Sequence, residues 1–304
     1  MDDQLTSHRK GVVAALAAYA VWGFFPLYFA LLKGVNVFEI SASRVVWSLI
    51  FVAIIVTIGR RWALVKKTLT TRTAVIACAL GGLILSVNWT VYAYAVASHA
   101  VVEGALGYYI NPLITVFLAV VILRERLRSW QWVALGIAGL AVGILTVGYG
   151  GVPWIALALG ITFAFYGLTK KLGHAPALES VGIETGAMFV PALVMLAVLS
   201  HRHELTTTQQ GLGTSILLMG LGILTVVPLL FFGYATPKIP LSLMGLMQYT
   251  NPTIQFILGL WVFHEAMTLT RFIGFALVWI ALTILAIDGF ATAQKNKELA
   301  KQSG

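Results

Sequence analysis

Long apolar runs separated by short polar gaps set the pattern of this chain. Ten runs approach the roughly 20 residues that a helix needs to cross about 30 Å of hydrocarbon. They cover residues 11–32, 38–58, 73–97, 102–123, 130–148, 153–169, 178–200, 212–235, 240–263 and 271–290. The pattern predicts an all-α integral membrane protein of ten transmembrane helices.

A second regularity lies over the first. Residue n and residue n + 140 match at Gly11 and Gly151, Ala18 and Ala158, Phe25 and Phe165, Glu39 and Glu179, and Gly82 and Gly222. They match again at Tyr94 and Tyr234, Ala95 and Ala235, and Glu125 and Glu265, and the run Tyr109-Ile110-Asn111-Pro112 returns as Tyr249-Thr250-Asn251-Pro252. Apolar bias aligns Leu with Val but seldom Glu, Tyr and Asn-Pro. Five helices make one unit, which predicts repeats over 8–148 and 151–290 followed by a basic tail over 291–304. Because five is odd, the second unit enters the membrane from the opposite side, giving two inverted repeats.

The charges fall in with this count. Sixteen of the twenty Lys and Arg residues lie in the connections of one side, among them Arg60, Arg61, Lys66, Lys67, Arg124, Arg126, Arg128, Lys170 and Lys238. The other side holds Lys33, Arg202 and Arg271, and Arg44 lies within the second run. Such an imbalance places both termini in the cytoplasm.

Composition narrows the class further. Of 304 residues, 59% are hydrophobic and 10% charged, and mean hydropathy is +0.91, far from a soluble domain. The net charge of +9 is spread over short gaps, so it reads as topology and not as a nucleic-acid surface. Cys78 is the single cysteine, which leaves no intramolecular disulfide and no cysteine-based metal site. The first run begins like a signal peptide after Arg9 and Lys10 but continues through Trp22 and Phe25, too long for an h-region, so it is expected to stay as the first span.

Candidate chemistry sits where polar residues interrupt the runs. Pro112 and Pro252 lack an N–H, which frees the carbonyls of Tyr108 and Gln248 beside Asn111 and Asn251. Pro26 and Pro228 add further kinks in the first and eighth runs. Interrupted helices in paired positions of two repeats point to a transport site. The plainer reading is a packing kink whose amide bonds a neighbouring helix. Aromatic and amide residues expected near mid-span are Trp22, Asn88, Tyr92, Tyr108, Tyr166, Tyr234, Gln248 and Tyr249, a set that suits a cavity for a partly apolar organic solute. Trp and Tyr also crowd membrane interfaces.

Ionisable residues inside spans are costly and rare. Arg44 and Glu103 fall at similar depth and are candidates for an ion pair, or Glu103 for proton coupling. Glu184 stands where the first repeat has Arg44 and has Lys170 or Lys171 within reach. Glu125 and Glu265 close their helices and are expected to accept from the N–H groups that open the next. The histidines His99, His174, His201, His203 and His264 are peripheral, no metal-ligand spacing occurs, and no Gly-x-x-x-x-Gly-Lys loop is present. No cofactor is expected.

The run Ser86-x-Asn88-Trp89-x-x-Tyr92-x-x-Ala95-Val96-x-x-His99-x-x-x-Glu103-x-x-Leu106-Gly107-Tyr108-Tyr109-Ile110-Asn111-Pro112-Leu113, with Trp22-Gly23-x-x-Pro26 upstream, resembles the RarD branch of the EamA family in the drug/metabolite transporter superfamily. The resemblance covers about residues 8 to 290. It implies a bacterial inner-membrane permease with a cavity between two five-helix halves, working by alternating access. The second half follows only the general superfamily pattern, with Gln248 where the first has Tyr108.

Together these features predict a secondary transporter, an exporter of a small organic metabolite or drug. Its partners are the solute and the lipid bilayer, with the oligomeric state open. An intramembrane enzyme would need clustered acids or histidines at one depth, whereas Glu103, Glu184 and Asp288 are dispersed over three helices. A channel would need a continuous polar stripe or ring. A receptor subunit is the remaining alternative, although no extramembrane domain is present to pass on a signal.

Overall fold

The computed structural model describes residues 2–123, 127–173, 175–207, 211–235, 238 and 247–302. Every regular element among them is an α-helix, as hydrocarbon demands of a chain whose backbone groups must find partners within the same segment. In chain order these are α1 (Asp2–Gly23), α2 (Phe25–Leu31), α3 (Val37–Ile58), α4 (Trp62–Leu69), α5 (Arg72–Ala97) and α6 (Val101–Leu123). They continue as α7 (Ser129–Tyr149), α8 (Trp154–Gly173), α9 (Ala177–His201), α10 (Leu212–Ala235), α11 (Thr250–Trp261) and α12 (Leu269–Gln302).

Eight of the described helical segments are long and apolar enough to cross a membrane, and Trp154–Lys170 is a shorter apolar helix. The expected ninth span, 240–263, lies partly outside the described residues. Its described portion turns at Gln248 and Tyr249 and then forms the 12-residue α11. Two local features depart from the apolar pattern. The first run breaks at Phe24 into α1 and α2, with Pro26 in the first turn of α2, a position that suits its fixed φ. The gap after the second run folds as α4, carrying Lys66 and Lys67 in its last turn, where they suit the helix dipole.

Helices pack in pairs far apart in sequence. α7 lies on α12, α3 on α9 and α6 on α11; α5 packs on α8 and α9, α3 also on α10, α6 on α8, and α1 on α10 and α11. The two tightest backbone crossings are close enough to require glycine. A Cβ on Gly82 of α5 would stand 2.6 Å from the Glu184 carbonyl oxygen on α9, and one on Gly222 of α10 would stand 2.6 Å from the Trp47 carbonyl on α3.

The two faces of the bundle are fastened differently. On one, carboxylates accept backbone N–H groups of other elements. Glu39 takes Thr206 and Thr207 at 2.7 and 3.2 Å, Glu103 takes Ile155 at 2.9 Å, and Glu265 takes Val102 at 2.9 Å and Val101. On the other, side chains pair: Arg61 with Glu179 at 2.7 Å, Arg128 with Asp288 at 2.7 Å, and Lys170 with Glu184.

Candidate functional site

Between these fastenings, α2, α3, α5, α6, α8 and α10 bring a group of rings and polar side chains together. The broken first run sets Phe25 and Phe29 inward, stacked at 6.2 Å between centroids. Phe29 meets Tyr92 edge-on at 5.5 Å, Tyr92 meets Tyr108 at 6.0 Å, Tyr108 meets Phe163 at 5.8 Å, and Phe163 meets Tyr166 at 6.0 Å. Four helical elements thus contribute to one continuous aromatic chain.

Polar groups sit along it. The Asn88 amide donates to the Leu159 carbonyl at 3.1 Å and to Thr162 Oγ1 at 2.8 Å, and its Oδ1 lies 3.5 Å from the Tyr108 hydroxyl. Asn88 and Tyr92, one turn apart on α5, share a face as their spacing predicts; both are buried. The Tyr92 hydroxyl is buried without a partner among the described residues. Arg44, 5% exposed, lays its guanidinium over Trp89 at 4.1 Å and near Phe25 at 5.2 Å, while its Nε donates to Thr225 Oγ1 at 2.8 Å. A void of about 10 Å³, lined by Trp89, Ser86 and Glu184 among others, lies nearby. That is room for roughly one water.

The Asn-Pro pairs lie at a second contact, and the two are unlike. α6 runs through Pro112 and α10 through Pro228, and Asn111 donates to the Gly160 carbonyl of α8 at 3.1 Å. Pro252 stands in the first turn of α11, and the Gln248 carbonyl accepts the Asn251 N–H at 3.2 Å in the preceding turn. Asn251 Oδ1 accepts Gln255 Nε2 at 2.8 Å. Gln255 also donates to the Trp22 carbonyl at 3.2 Å, and the Trp22 ring packs with Tyr19 and Phe232. Tyr109 and Tyr249 stack on each other at 6.3 Å and 19°.

Several expectations are corrected. Arg44 and Glu103 do not pair: Arg44 bonds Thr225, and Glu103 caps the start of α8, because a helix opening offers a carboxylate unpaired N–H groups at short range. Glu265 caps α6 across the bundle, not the helix that follows it; Glu125 lies outside the described residues. Tyr234 is 45% exposed under Lys238, whose Nζ is 3.4 Å from the ring centroid, so it is not brought to the aromatic chain. Glu184 does take Lys170, together with Ser180 at 2.7 Å and the Tyr166 hydroxyl at 3.1 Å. Sequence reasoning passed over Gln255 and Thr225, whose partners come from distant helices and leave no local signal. Phe25 and Trp89 stood in the sequence patterns without being assigned a part in the site.

Outside the spans, burial pushes the Glu265 carboxyl up from its ordinary 4.5 to about 7, against the opposing pull of the Val101 and Val102 N–H groups.

Residues 9–147 match the EamA-like transporter family. The chain is 43% identical over 289 residues to the protein RarD of Streptomyces exfoliatus, covering 95% of this chain and 92% of that one. The chain belongs to the RarD branch of the EamA family. The RarD protein of Escherichia coli K12 is 35% identical over 95% of this chain and 98% of its own. A Vibrio cholerae protein described as an uncharacterized transporter is 37% identical over 92% and 93%. A solved structure of 16% identity superimposes with a TM-score of 0.56, covering 91% of this chain and 97% of its own, and shares the fold. RarD-branch membership and the apolar helices make this a multi-pass bacterial membrane transporter.

Proposed function

We propose that this RarD-branch protein is a secondary transporter of the inner membrane that exports a small organic solute by alternating access. In this reading two inverted five-helix repeats, 8–148 and 151–290, rock about a shared site, with both termini in the cytoplasm. The observation that carries it is the stacking of Tyr109 on Tyr249, residues 140 positions apart. A residue meets its own counterpart only beside the axis that relates two copies of a unit.

Helix packing supports the same reading. Shifting each expected span by five exchanges the α5–α8 contact with α10–α1, α6–α8 with α11–α1, and α5–α9 with α10–α3, and each of these contacts occurs. The glycine crossings follow, since Gly82 and Gly222 are also 140 apart.

The site we assign is the aromatic chain with Asn88, Tyr92, Tyr108 and Tyr166, joined by Trp22, Asn251 and Gln255. Rings provide apolar contact and the few amides and hydroxyls give orientation, the usual make-up of an organic-ligand site. Glu103 serves as a helix cap in this account, and its burial needs no proton-carrying role.

The test is uptake into liposomes containing the purified protein, using neutral, anionic and cationic aromatic solutes with and without a pH gradient. Wild type is compared with Asn88→Ala and Tyr108→Phe, with folding checked by thermal midpoint. Saturable flux that both variants reduce at unchanged folding supports the reading. Flux that is linear in concentration, or indifferent to both variants, contradicts it.

A further inference from the structure

Arg44 is a charge without a counter-charge among the described residues. It lies seven residues into α3, roughly 10 Å along the helix axis, and is 5% exposed. The ion pairs among the described residues are Arg61 with Glu179, Arg128 with Asp288 and Lys170 with Glu184; Arg44 is in none. Buried carboxylates on the surrounding helices are committed elsewhere: Glu39 to Thr206 and Thr207, Glu103 to Ile155 and Ala156, and Glu184 to Lys170, Ser180 and Tyr166.

A guanidinium has five N–H donors in a rigid plane. Here Trp89 and Phe25 lie against it, and one donor, Nε–H, is taken by Thr225. The other four have no partner among the described residues. Two phenols belong to the same ring cluster: Phe25 stacks on Phe29, Phe29 meets Tyr92 at 5.5 Å, and Tyr92 meets Tyr108 at 6.0 Å. The Tyr92 hydroxyl is itself unpartnered and buried, and the Tyr108 hydroxyl reaches Asn88 only at 3.5 Å.

Buried cations are retained in membranes chiefly where they pair with something. A fork of N–H donors of which only Nε–H is taken, beside an unpartnered Tyr92 hydroxyl and a Tyr108 hydroxyl held only at 3.5 Å, fits the two oxygens of a carboxylate. The rings of Phe25, Phe29 and Trp89 around it fit an apolar body. Building on the transport site assigned above, we infer that the solute is a small organic acid whose carboxylate is held by Arg44, Tyr92 and Tyr108.

The experiment is the thermal midpoint of the purified protein in detergent, titrated with benzoate and phenylacetate beside their neutral amides, benzylamine, chloride and inorganic phosphate. The carboxylates raise the midpoint of wild type saturably and the amides do not. In Arg44→Gln the apparent affinity falls at least tenfold, and Arg44→Lys, which keeps the charge but not the fork, recovers part of it. Trp89, lying on the guanidinium, reports the same titration by a fluorescence change that Trp89→Phe removes. A purely structural Arg44 would alter the unliganded midpoint and leave the carboxylate-dependent shift in place.

Equal shifts with amide and carboxylate, a carboxylate shift that survives Arg44→Gln, an equal shift with chloride or phosphate, or no shift with either carboxylate overturns the inference. Saturable transport of neutral solutes alone, unchanged by Arg44→Gln, removes the organic acid and keeps the carrier. Carboxylate binding without flux keeps the anion site and removes the carrier.

Discussion

Gln255 on α11 donates its side-chain amide to the backbone carbonyl of Trp22, 3.2 Å away at the end of α1. Pro26 stands four residues after Trp22 and has no N–H to offer that carbonyl. The broken first run is thus tied to α11 at the carbonyl that Pro26 leaves without a local donor. Gln255→Leu is expected to destabilise the protein by about 1–3 kcal/mol, the usual cost of leaving a buried acceptor unmatched. Pro26→Ala restores a local donor, so Gln255→Leu should cost less in that background. Thermal midpoints of the four proteins in this cycle check it, and equal losses in both backgrounds would contradict the assignment.

The tight crossings make a second prediction. Gly82→Ala and Gly222→Ala each place a methyl 2.6 Å from backbone of the facing helix, and should each cost about 1–3 kcal/mol as overpacking does. Gly136→Ala on α7 meets nothing within 4 Å. It should be neutral or stabilising by up to about 1 kcal/mol. Unfolding midpoints of the three variants separate a required contact from a general intolerance of substitution.

Lys170, 30% exposed, pairs with the buried Glu184, 2% exposed. Lys170→Met leaves the carboxylate with only the Ser180 and Tyr166 hydroxyls, and the loss should fall below the roughly 3–5 kcal/mol seen when one partner of a fully buried pair is removed. Adding Glu184→Gln should recover much of it. A double variant as unstable as the single one would show that the pair itself holds α8 to α9.

Glu265 gives the stability a pH dependence of known sign. Its folded-state value of about 7 lies above the ordinary 4.5, so the folded protein holds this proton more tightly than the unfolded chain does. The contribution is full below about pH 4.5 and is lost as pH rises through about 7. Arg271 opposes the shift and Glu103 reinforces it. Midpoints measured from pH 4.5 to 8 should fall less steeply in Glu265→Gln than in wild type; identical slopes would contradict this.

What the sequence made legible follows from which signals are local. Apolar runs announce themselves because hydrocarbon thickness fixes their length, and the bounds of α3, α5 and α9 lie close to those read from the sequence. The Glu184 to Lys170 pair was also readable, as two charges on consecutive helices. Caps that cross the bundle were not. Glu39 finds Thr206 167 residues away and Glu265 finds Val101 164 residues away, and nothing in either neighbourhood names the partner. Prolines misled for a related reason: the same residue bends a helix in its interior and starts one in its first turn, and Pro112 and Pro252 take these different positions. Arg44 stood out in the sequence as a charge in a span, but only the fold reveals that no carboxylate among the described residues answers it.

Alternating access requires that one site be offered in turn to the two sides of the membrane. Exchange across liposomes tests it most directly: vesicles containing the protein are preloaded with an unlabelled solute found to be transported, and entry of the labelled form is followed. A carrier of this kind predicts entry accelerated by solute on the far side, because the loaded site returns faster or more often than the empty one, with the acceleration lost in Asn88→Ala. Entry that is indifferent to preloading, or slowed by it at every concentration, would contradict alternating access through this site.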